Sequence, residues 1–499
     1  MPLLPSMKIP PALLLLLLIL CGGVAAFFLS GEKTAPAFEG GLLSDRSQGS
    51  ETVEDLRKQI ELLLGQNEYL QGQVQVLQDE NAQLIQKLGT LGMKGGTQTA
   101  AMAADDGIAP DFVGMGVDMM KLRQIKALPL VTSPATEAEV EKVVLAWLRR
   151  LQPGDEAQRQ ARALAALGWI PQEIDPLPLR AKLLTRQLGG WYDSESDTMW
   201  VIEPQSDPPP SAKPDEPLAV AFGQLLREYE PILFQPKHGR LSTDERTARE
   251  SLLAGDAGLT RFLFSIQNAK AEPKFDLPAE DPDHPLNQVP MPVFLREMAM
   301  FPFMRGFEFA QALHSAGEFP QLNAAYSRPP VSTAEVIEPE LYLDADARGS
   351  QMEVRLQSLS WNGLEPFWDD QLGKFACVTV LRAHNEDGAA AEGARGLLAD
   401  RLLAWPAGVE AKRHHAAWQT LFQDEDSAKA FFKAMSQVLV QRYGLEKMPE
   451  QKAGGIEFAA QGRWVSLKRN RAGQGICLID TASEAARKGI NQLIEGETK

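Results

Sequence analysis

A seven-residue repeat between Val53 and Leu91 constrains the fold of this chain more than any other feature. Its apolar residues recur at alternating steps of three and four, so they form a narrow stripe along one face of a helix. Leucine fills every second position of the stripe, and most of the other positions carry Val, Ile or Asn. Leucine alternating with β-branched residues favours a parallel dimer, and an asparagine in the seam must find its counterpart on the partner helix. We therefore predict a parallel coiled-coil stalk over residues 52–92, in which Asn67 and Asn81 specify a homodimer. A single amphipathic helix packed on the folded domain is the alternative.

A continuous apolar segment, residues 9–29, precedes the repeat and is long enough for a helix that crosses a membrane. Lys8 lies before it, which favours a cytoplasmic N-terminus. We predict an uncleaved transmembrane signal anchor, with the bulk of the chain outside the cytoplasm, as in a Gram-negative periplasm. Cleavage near Ala26 and lipidation of Cys21 are the alternatives.

Composition and charge indicate a folded protein and exclude one class of partner. The 499 residues are 44% hydrophobic and 23% charged, which is typical of a globular chain, and the net charge is -16. A nucleic-acid-binding surface needs clustered Lys and Arg, so we expect no nucleic acid partner. Residues 30–50 indicate a linker, residues 93–133 indicate a flexible connector, and residues 134–499 form the predicted folded domain.

The cysteines are too few for a disulfide framework, since the chain has only three. Besides Cys21, the chain carries Cys377 and Cys477, and both lie in apolar runs that predict β-strands. We expect two buried thiols, and a bridge between them in an oxidising compartment is the alternative.

Several short patterns predict local structure in the folded domain. Thr136 and Glu139 have the spacing of a capping box that opens a helix, and a second helix is expected over residues 155–167. Two apolar segments around a polar turn, residues 190–193 and 198–202, predict a β-hairpin.

A set of motifs in a fixed order gives the chain a resemblance to a known family. These motifs are Gly190-Trp-Tyr-Asp193, Leu218-Ala-Val-Ala-Phe-Gly-Gln224, Ala254-Gly-Asp-Ala257, Pro329-Pro-Val-Ser-Thr333 and Pro339-Glu-Leu-Tyr342. Over residues 136–470 the chain resembles predicted bacterial zinc peptidases of the gluzincin type, which carry G-x-Y-D, L-A-H-E-x-x-H and E-G-D-A motifs in this order. The resemblance implies an α+β fold: a mainly helical zincin-like domain with small β-sheets, after the transmembrane helix and the parallel coiled-coil stalk.

The residues that bind zinc in that family are missing here. The resemblance places its first histidine, general-base glutamate, second histidine and ligand glutamate on four positions, here called the aligned positions: Val220, Ala221, Gln224 and Ala254. A zinc peptidase needs three protein ligands and a carboxylate base, so all four roles are unfilled. Sliding the helix by two residues places Phe222, Gly223 and Leu226 on the first three positions, with the same result.

Two further residues bear on the family's site. Asp256 of the E-G-D-A motif is present, and we interpret it as a structural polar residue, while Glu338 stands where the family often has histidine. None of the six histidines shows the i, i+4 spacing of a helical metal site. We therefore expect no metal and no cofactor. The sequence predicts a membrane-anchored, dimeric, catalytically inactive binding or scaffolding module for an unknown peptide or protein, and an active hydrolase with an unrecognised site is the alternative.

Overall fold

The computed structural model describes residues 112–126, 129–171, 174–203, 210–211, 215–236, 239–268, 286–346, 348, 356–408, 414–451 and 454–497. All of them lie in one compact unit, Ala109–Lys499. The transmembrane segment predicted at 9–29, the linker at 30–50 and the coiled coil at 52–92, with Asn67 and Asn81, lie outside the described residues. The dimer and the location outside the cytoplasm stay predictions.

The first part of the described chain is mainly helical and carries a three-stranded sheet. Its elements are α1 (Phe112–Leu122), β1 (Val131–Ala135), α2 (Glu137–Leu151), α3 (Glu156–Ala166), α4 (Pro176–Leu188), β2 (Gly190–Asp193), β3 (Thr198–Ile202), α5 (Glu216–Leu233), α6 (Thr243–Asn268), α7 (Val293–Ser327), α8 (Thr333–Ile337) and α9 (Pro339–Leu343). Strands β2 and β3 form the predicted antiparallel hairpin, which is confirmed. Strand β1 pairs parallel to β3 and completes the order β1-β3-β2. Helix α1 and the first three residues of β1 lie in the segment 93–133 that the sequence indicates as a connector.

Local capping explains where several of these helices begin. The Thr136 hydroxyl accepts a hydrogen bond from Glu139 N–H while the Glu139 carboxylate accepts one from Thr136 N–H, so the predicted capping box of α2 is confirmed. At the start of α5, Leu218 N–H donates to Asp215 Oδ1 at 3.1 Å. Each cap satisfies an amide that the first helical turn leaves without a partner.

Helices α6 and α7 pack backbone against backbone. A Cβ atom added to Gly255 would lie 1.9 Å from Gly306 O, and one added to Gly306 would lie 2.3 Å from Ser251 O. Neither position has room for a larger residue, so the glycine of the Ala254-Gly-Asp-Ala257 motif allows the close helix contact.

The second part of the described chain is a six-stranded antiparallel sheet with helices on both faces. Its elements are β4 (Trp368–Asp370), α10 (Gly373–Arg382), α11 (Asp387–Ala394), β5 (Leu397–Trp405), β6 (His415–Phe422), α12 (Glu425–Tyr443), β7 (Gly455–Ala460), β8 (Arg463–Arg469), β9 (Gly475–Thr481) and α13 (Glu484–Glu497). The strand order is β4-β5-β6-β9-β8-β7. Trp418 and Leu478 face a core shared with α3, α10 and α12, while Leu403 and Ile479 face a core shared with α13.

The fold predicted from the sequence was wrong in its composition, although the structure is α+β. Its second part is built on a six-stranded sheet where the sequence predicted a mainly helical domain with small sheets. Among the helices of the described residues, none combines the length and apolar character needed to span a membrane. The sheet was missed because its strands are buried on both faces. Seven of the nine residues of β5 and six of the eight residues of β6 are buried, and runs without alternating exposure resemble buried helices.

The two distal cysteines occupy different cores. Cys477 lies in β9 as predicted, but Cys377 lies in helix α10, so the strand predicted there was wrong. The Asp400 carboxylate accepts hydrogen bonds from Leu372 N–H and Gly373 N–H at 3.0 and 2.9 Å, which stabilises the start of α10 against the β preference of its sequence. Both thiols are free and buried, on opposite sides of the sheet.

Buried carboxylates accept hydrogen bonds at the ends of several elements, and Asp370 joins the helical part to the sheet part. The Asp370 carboxylate at the end of β4 accepts hydrogen bonds from Thr243 N–H and the Thr243 hydroxyl, at the start of α6. The Asp244 carboxylate accepts two from Thr333, at the start of α8. Burial raises the pKa of Asp244 to about 7. Burial also raises the pKa of Asp400 to about 6, although three hydrogen bonds act against the change.

Candidate functional site

Helix α5, which carries three of the aligned positions, is buried on nearly all sides. Every residue from Leu218 to Leu226 is buried, because β2, α1, α6 and α7 pack around it. Gly223 faces the sheet, where an added Cβ atom would lie 2.7 Å from Met199 Sδ. The helix therefore lies inside the core, with no open groove along this stretch.

The aligned positions are closed to solvent. Val220 and Ala254 are each 2% exposed, Ala221 is 0% exposed and Gln224 is 5% exposed. Helix α1 packs directly on two of them, since a Cβ atom added to Gly116 would lie 2.8 Å from Gln224 Nε2 and 3.3 Å from Val220 Cγ1. Substrate in a zinc peptidase must reach an open metal position, and α1 occupies that side of α5.

Ala254 faces a different side of α5 from Val220 and Gln224. It lines a cavity of about 20 Å³ together with Phe222, whereas Val220, Ala221 and Gln224 do not line it. Phe222 is two residues from both Val220 and Gln224, so it points about 200° away from Val220 around the helix. The structure thus groups Ala254 with Phe222, the residue that the two-residue shift puts in the place of the first histidine. Neither alignment provides a side chain that binds zinc.

The described residues contain no cluster of three or more His, Cys, Asp or Glu side chains that could hold a metal ion. Glu338 forms an ion pair with Lys374, and Glu335 forms one with Arg348 at 2.8 Å, so both carboxylates have structural partners. His314 packs against Phe319, and burial lowers the pKa of His314, which favours a neutral imidazole. The predicted absence of a zinc site stays a prediction.

Asp256 is the centre of a buried polar network. Its carboxylate accepts hydrogen bonds from Arg123 Nε and Nη2 at 2.6 and 2.8 Å, and one from the Tyr326 hydroxyl at 2.9 Å. Both charged side chains are 0% exposed. Burial is the largest cause that raises the pKa of Tyr326 well above its ordinary value, so this hydroxyl stays a donor. Asp256 lies in the interior of α6, and these hydrogen bonds join α6 to α7 and to the end of α1.

Arg123 belongs to no sequence motif, so its role is visible only in the structure. It follows α1 in a segment that was assigned to the connector, and its partner lies 133 residues away. The network continues from Tyr326 to Tyr229, whose rings stack with centroids 3.5 Å apart. Arg123 therefore links the end of α1 to α6, α7 and α5, beside the aligned positions.

Comparisons with known proteins identify no family for this chain: no family model, no curated protein and no solved structure matches it.

Proposed function

We propose that this protein is a catalytically inactive relative of zinc peptidases that works as a binding or scaffolding module. The observation that supports this proposal is the closed packing at the aligned positions. Val220 and Gln224 lie under α1, and Ala254 lies at a cavity of about 20 Å³. A zinc peptidase needs an open coordination position for water and substrate, and this arrangement provides neither ligands nor space.

The same packing favours scaffolding through outer surfaces over capture of a peptide along α5. A space of about 20 Å³ accommodates one water molecule, and a peptide side chain needs more. Partners then bind elsewhere on the folded part. The coiled coil predicted at 52–92 brings two copies together, which increases the avidity for a partner with two or more binding sites.

Metal content tests the inactive state. Full-length protein is dialysed against trace zinc, and its metal is measured by elemental analysis alongside hydrolysis of an unstructured protein substrate with and without chelator. We expect near-zero zinc and no chelator-sensitive hydrolysis. One tightly held zinc per chain, or hydrolysis that the chelator abolishes, contradicts the proposal.

Sedimentation velocity tests the scaffolding arrangement. We expect the full-length protein to sediment as a dimer at micromolar concentration. The variant Asn67→Leu/Asn81→Leu loses the polar pair that specifies two strands, so we expect it to populate larger oligomers. A monomeric full-length protein argues against the two-copy arrangement and leaves the inactive state to the metal measurement.

A further inference from the structure

The carboxylates of Asp244 and Asp400 lie beside the same glycine, Gly373, at the start of α10. Gly373 has a positive φ of 85°, and a Cβ atom added to it would lie 1.8 Å from Asp244 Oδ1 and 2.7 Å from Asp244 Oδ2. The Asp244 carboxylate, at the start of α6, therefore rests directly against the backbone of Gly373. The N–H of Gly373 donates a hydrogen bond to Asp400 Oδ1 at 2.9 Å. The two carboxylates thus contact the same residue, and the charge of Asp400 acts on Asp244.

Thr333, at the start of α8, connects Asp244 to α10. The N–H and the hydroxyl of Thr333 both donate to Asp244 Oδ1, at 2.7 and 2.6 Å. The hydroxyl oxygen also accepts a hydrogen bond from Phe375 N–H, in the first turn of α10, at 3.1 Å. That turn is therefore bonded to Asp400 directly and to Asp244 through Thr333.

The cations near this pair of carboxylates are bound to other acids. Three such ion pairs surround it: Arg348 with Glu335 on α8, Lys374 on α10 with Glu338, and Arg240 with Asp370 on β4. In the described part of the chain, neither Asp244 nor Asp400 forms an ion pair of its own, while Glu335 and Asp370 add negative charge beside them. Cys377 on α10 also faces Asp400, and burial raises the pKa of its thiol, which stays neutral.

Two carboxylates in this position do not both ionise easily. Like charges close together in a poorly solvated site oppose each other's ionisation, and the two groups titrate as a pair. Asp400 is 3% exposed and accepts hydrogen bonds on both oxygens, with Trp418 Nε1 as the third donor at 2.8 Å. Donors among the described residues bind only Oδ1 of Asp244, and Asp244 is partly exposed. Asp244 Oδ2 is therefore the atom that carries the proton and exchanges it with solvent.

We propose that Asp244 and Asp400 form a proton-controlled latch that holds the starts of α6, α8 and α10 together. With a proton on Asp244 Oδ2 the latch is closed, and Oδ1 still accepts hydrogen bonds from Thr333. When the proton leaves to solvent, two negative charges without a cation lie beside Gly373, and α8 and the first turn of α10 open more often. This inference does not depend on the proposed function, since it follows from the packing around Gly373.

Amide hydrogen exchange of the full-length protein, followed by mass spectrometry at about pH 5.5 and about pH 8, measures this opening. Burial raises the pKa of Asp244 to about 7 in the closed state, and opening returns it to an ordinary value, so opening should be about ten- to thirty-fold more frequent at the higher pH. We expect this increase, after correction for intrinsic exchange rates, in peptides from α8 and α10. An equal increase in peptides from α2, which carries none of these residues, means that Asp244 affects only global unfolding, and the latch is refuted.

A matched pair of substitutions identifies the titrating group. Asp244→Asn keeps an acceptor for Thr333 and removes the titration, so the difference between the two pH values should fall below about threefold in α8 and α10. Asp426→Asn, on α12, changes a carboxylate whose side chain is 93% exposed, and it should retain the full difference. If Asp244→Asn also retains the full difference, Asp244 is only a helix cap and the proposal fails.

Infrared spectroscopy of the unmodified protein gives a second test that requires no variant to fold. We expect the absorption of a protonated carboxyl group at about pH 5.5 and its loss by about pH 8. If the spectrum at the lower pH shows no protonated carboxyl group, the proposal is overturned.

Discussion

Breaking the ion pair between Arg123 and Asp256 should lower the free energy of unfolding more than breaking most other polar interactions in the folded part. Both side chains are 0% exposed, and two hydrogen bonds of 2.6 and 2.8 Å join them. Arg123→Met keeps the length of the side chain and removes its charge. It leaves the Asp256 carboxylate buried with the Tyr326 hydroxyl at 2.9 Å as its main remaining partner. Removing one member of a buried ion pair costs about 3–5 kcal/mol.

Helix α1, which ends just before Arg123, provides a matched control. Lys121 lies two residues earlier and pairs with Asp118 at 3.0 Å, with side chains 69% and 38% exposed. Lys121→Met removes the same kind of charge from a solvated pair, which contributes about 0–1 kcal/mol. Urea unfolding followed by tryptophan fluorescence measures the free energy of unfolding of both variants.

A double-mutant cycle separates the pair from its surroundings. Asp256→Asn alone should also destabilise the fold, because it leaves the Arg123 guanidinium buried without its anion. The double variant Arg123→Met/Asp256→Asn should lose less than the sum of the two single variants, with a coupling free energy of about 2 kcal/mol or more. The reasoning is refuted if Arg123→Met costs no more than Lys121→Met, or if the two single effects simply add.

Two further predictions concern the pH dependence of stability and the contact between α6 and α7. The raised pKa of Asp244, about 7 in place of 3.8, means that between about pH 4 and pH 7 the folded chain holds a proton that the unfolded chain releases. The contribution of Asp244 to stability therefore decreases as pH rises through that window. The melting temperatures at about pH 5 and at about pH 8 should differ less for Asp244→Asn than for the unmodified protein. An unchanged difference between the two pH values contradicts the assignment. Gly255→Ala places a Cβ atom 1.9 Å from Gly306 O and should cost at least about 2 kcal/mol in urea unfolding. Gly388→Ala on α11 meets no atom within 4 Å and should be neutral or slightly stabilising, and equal effects of the two substitutions would refute the packing argument.

Local structure could be predicted from the sequence where the deciding residues are neighbours in the chain. The capping box of Thr136 and Glu139 is confirmed because its hydrogen bonds span three positions. The hairpin of residues 190–202 is confirmed because a polar turn between two apolar segments specifies it within a few residues. The burial of Cys377 and Cys477 is confirmed as well, since thiols in apolar runs seldom reach solvent.

Secondary structure was predicted wrongly where distant contacts override local preference. The run around Cys377 reads as a strand, yet it is a helix whose start is stabilised by Asp400, more than twenty residues away in the chain. The strands of the second sheet are covered on both faces, so their sequences lack the alternation that identifies a strand exposed on one face. Their pairing depends on contacts between segments that are far apart in sequence.

The sequence by itself determined that no zinc-binding side chain occupies the aligned positions, since that requires only residue identities. The tertiary structure decided what surrounds those positions. It placed α1 over Val220 and Gln224, grouped Ala254 with Phe222, and paired Arg123 with Asp256 across 133 residues. Such contacts have no local signal, because packing of whole elements brings the side chains together and any one of them alone is an ordinary residue.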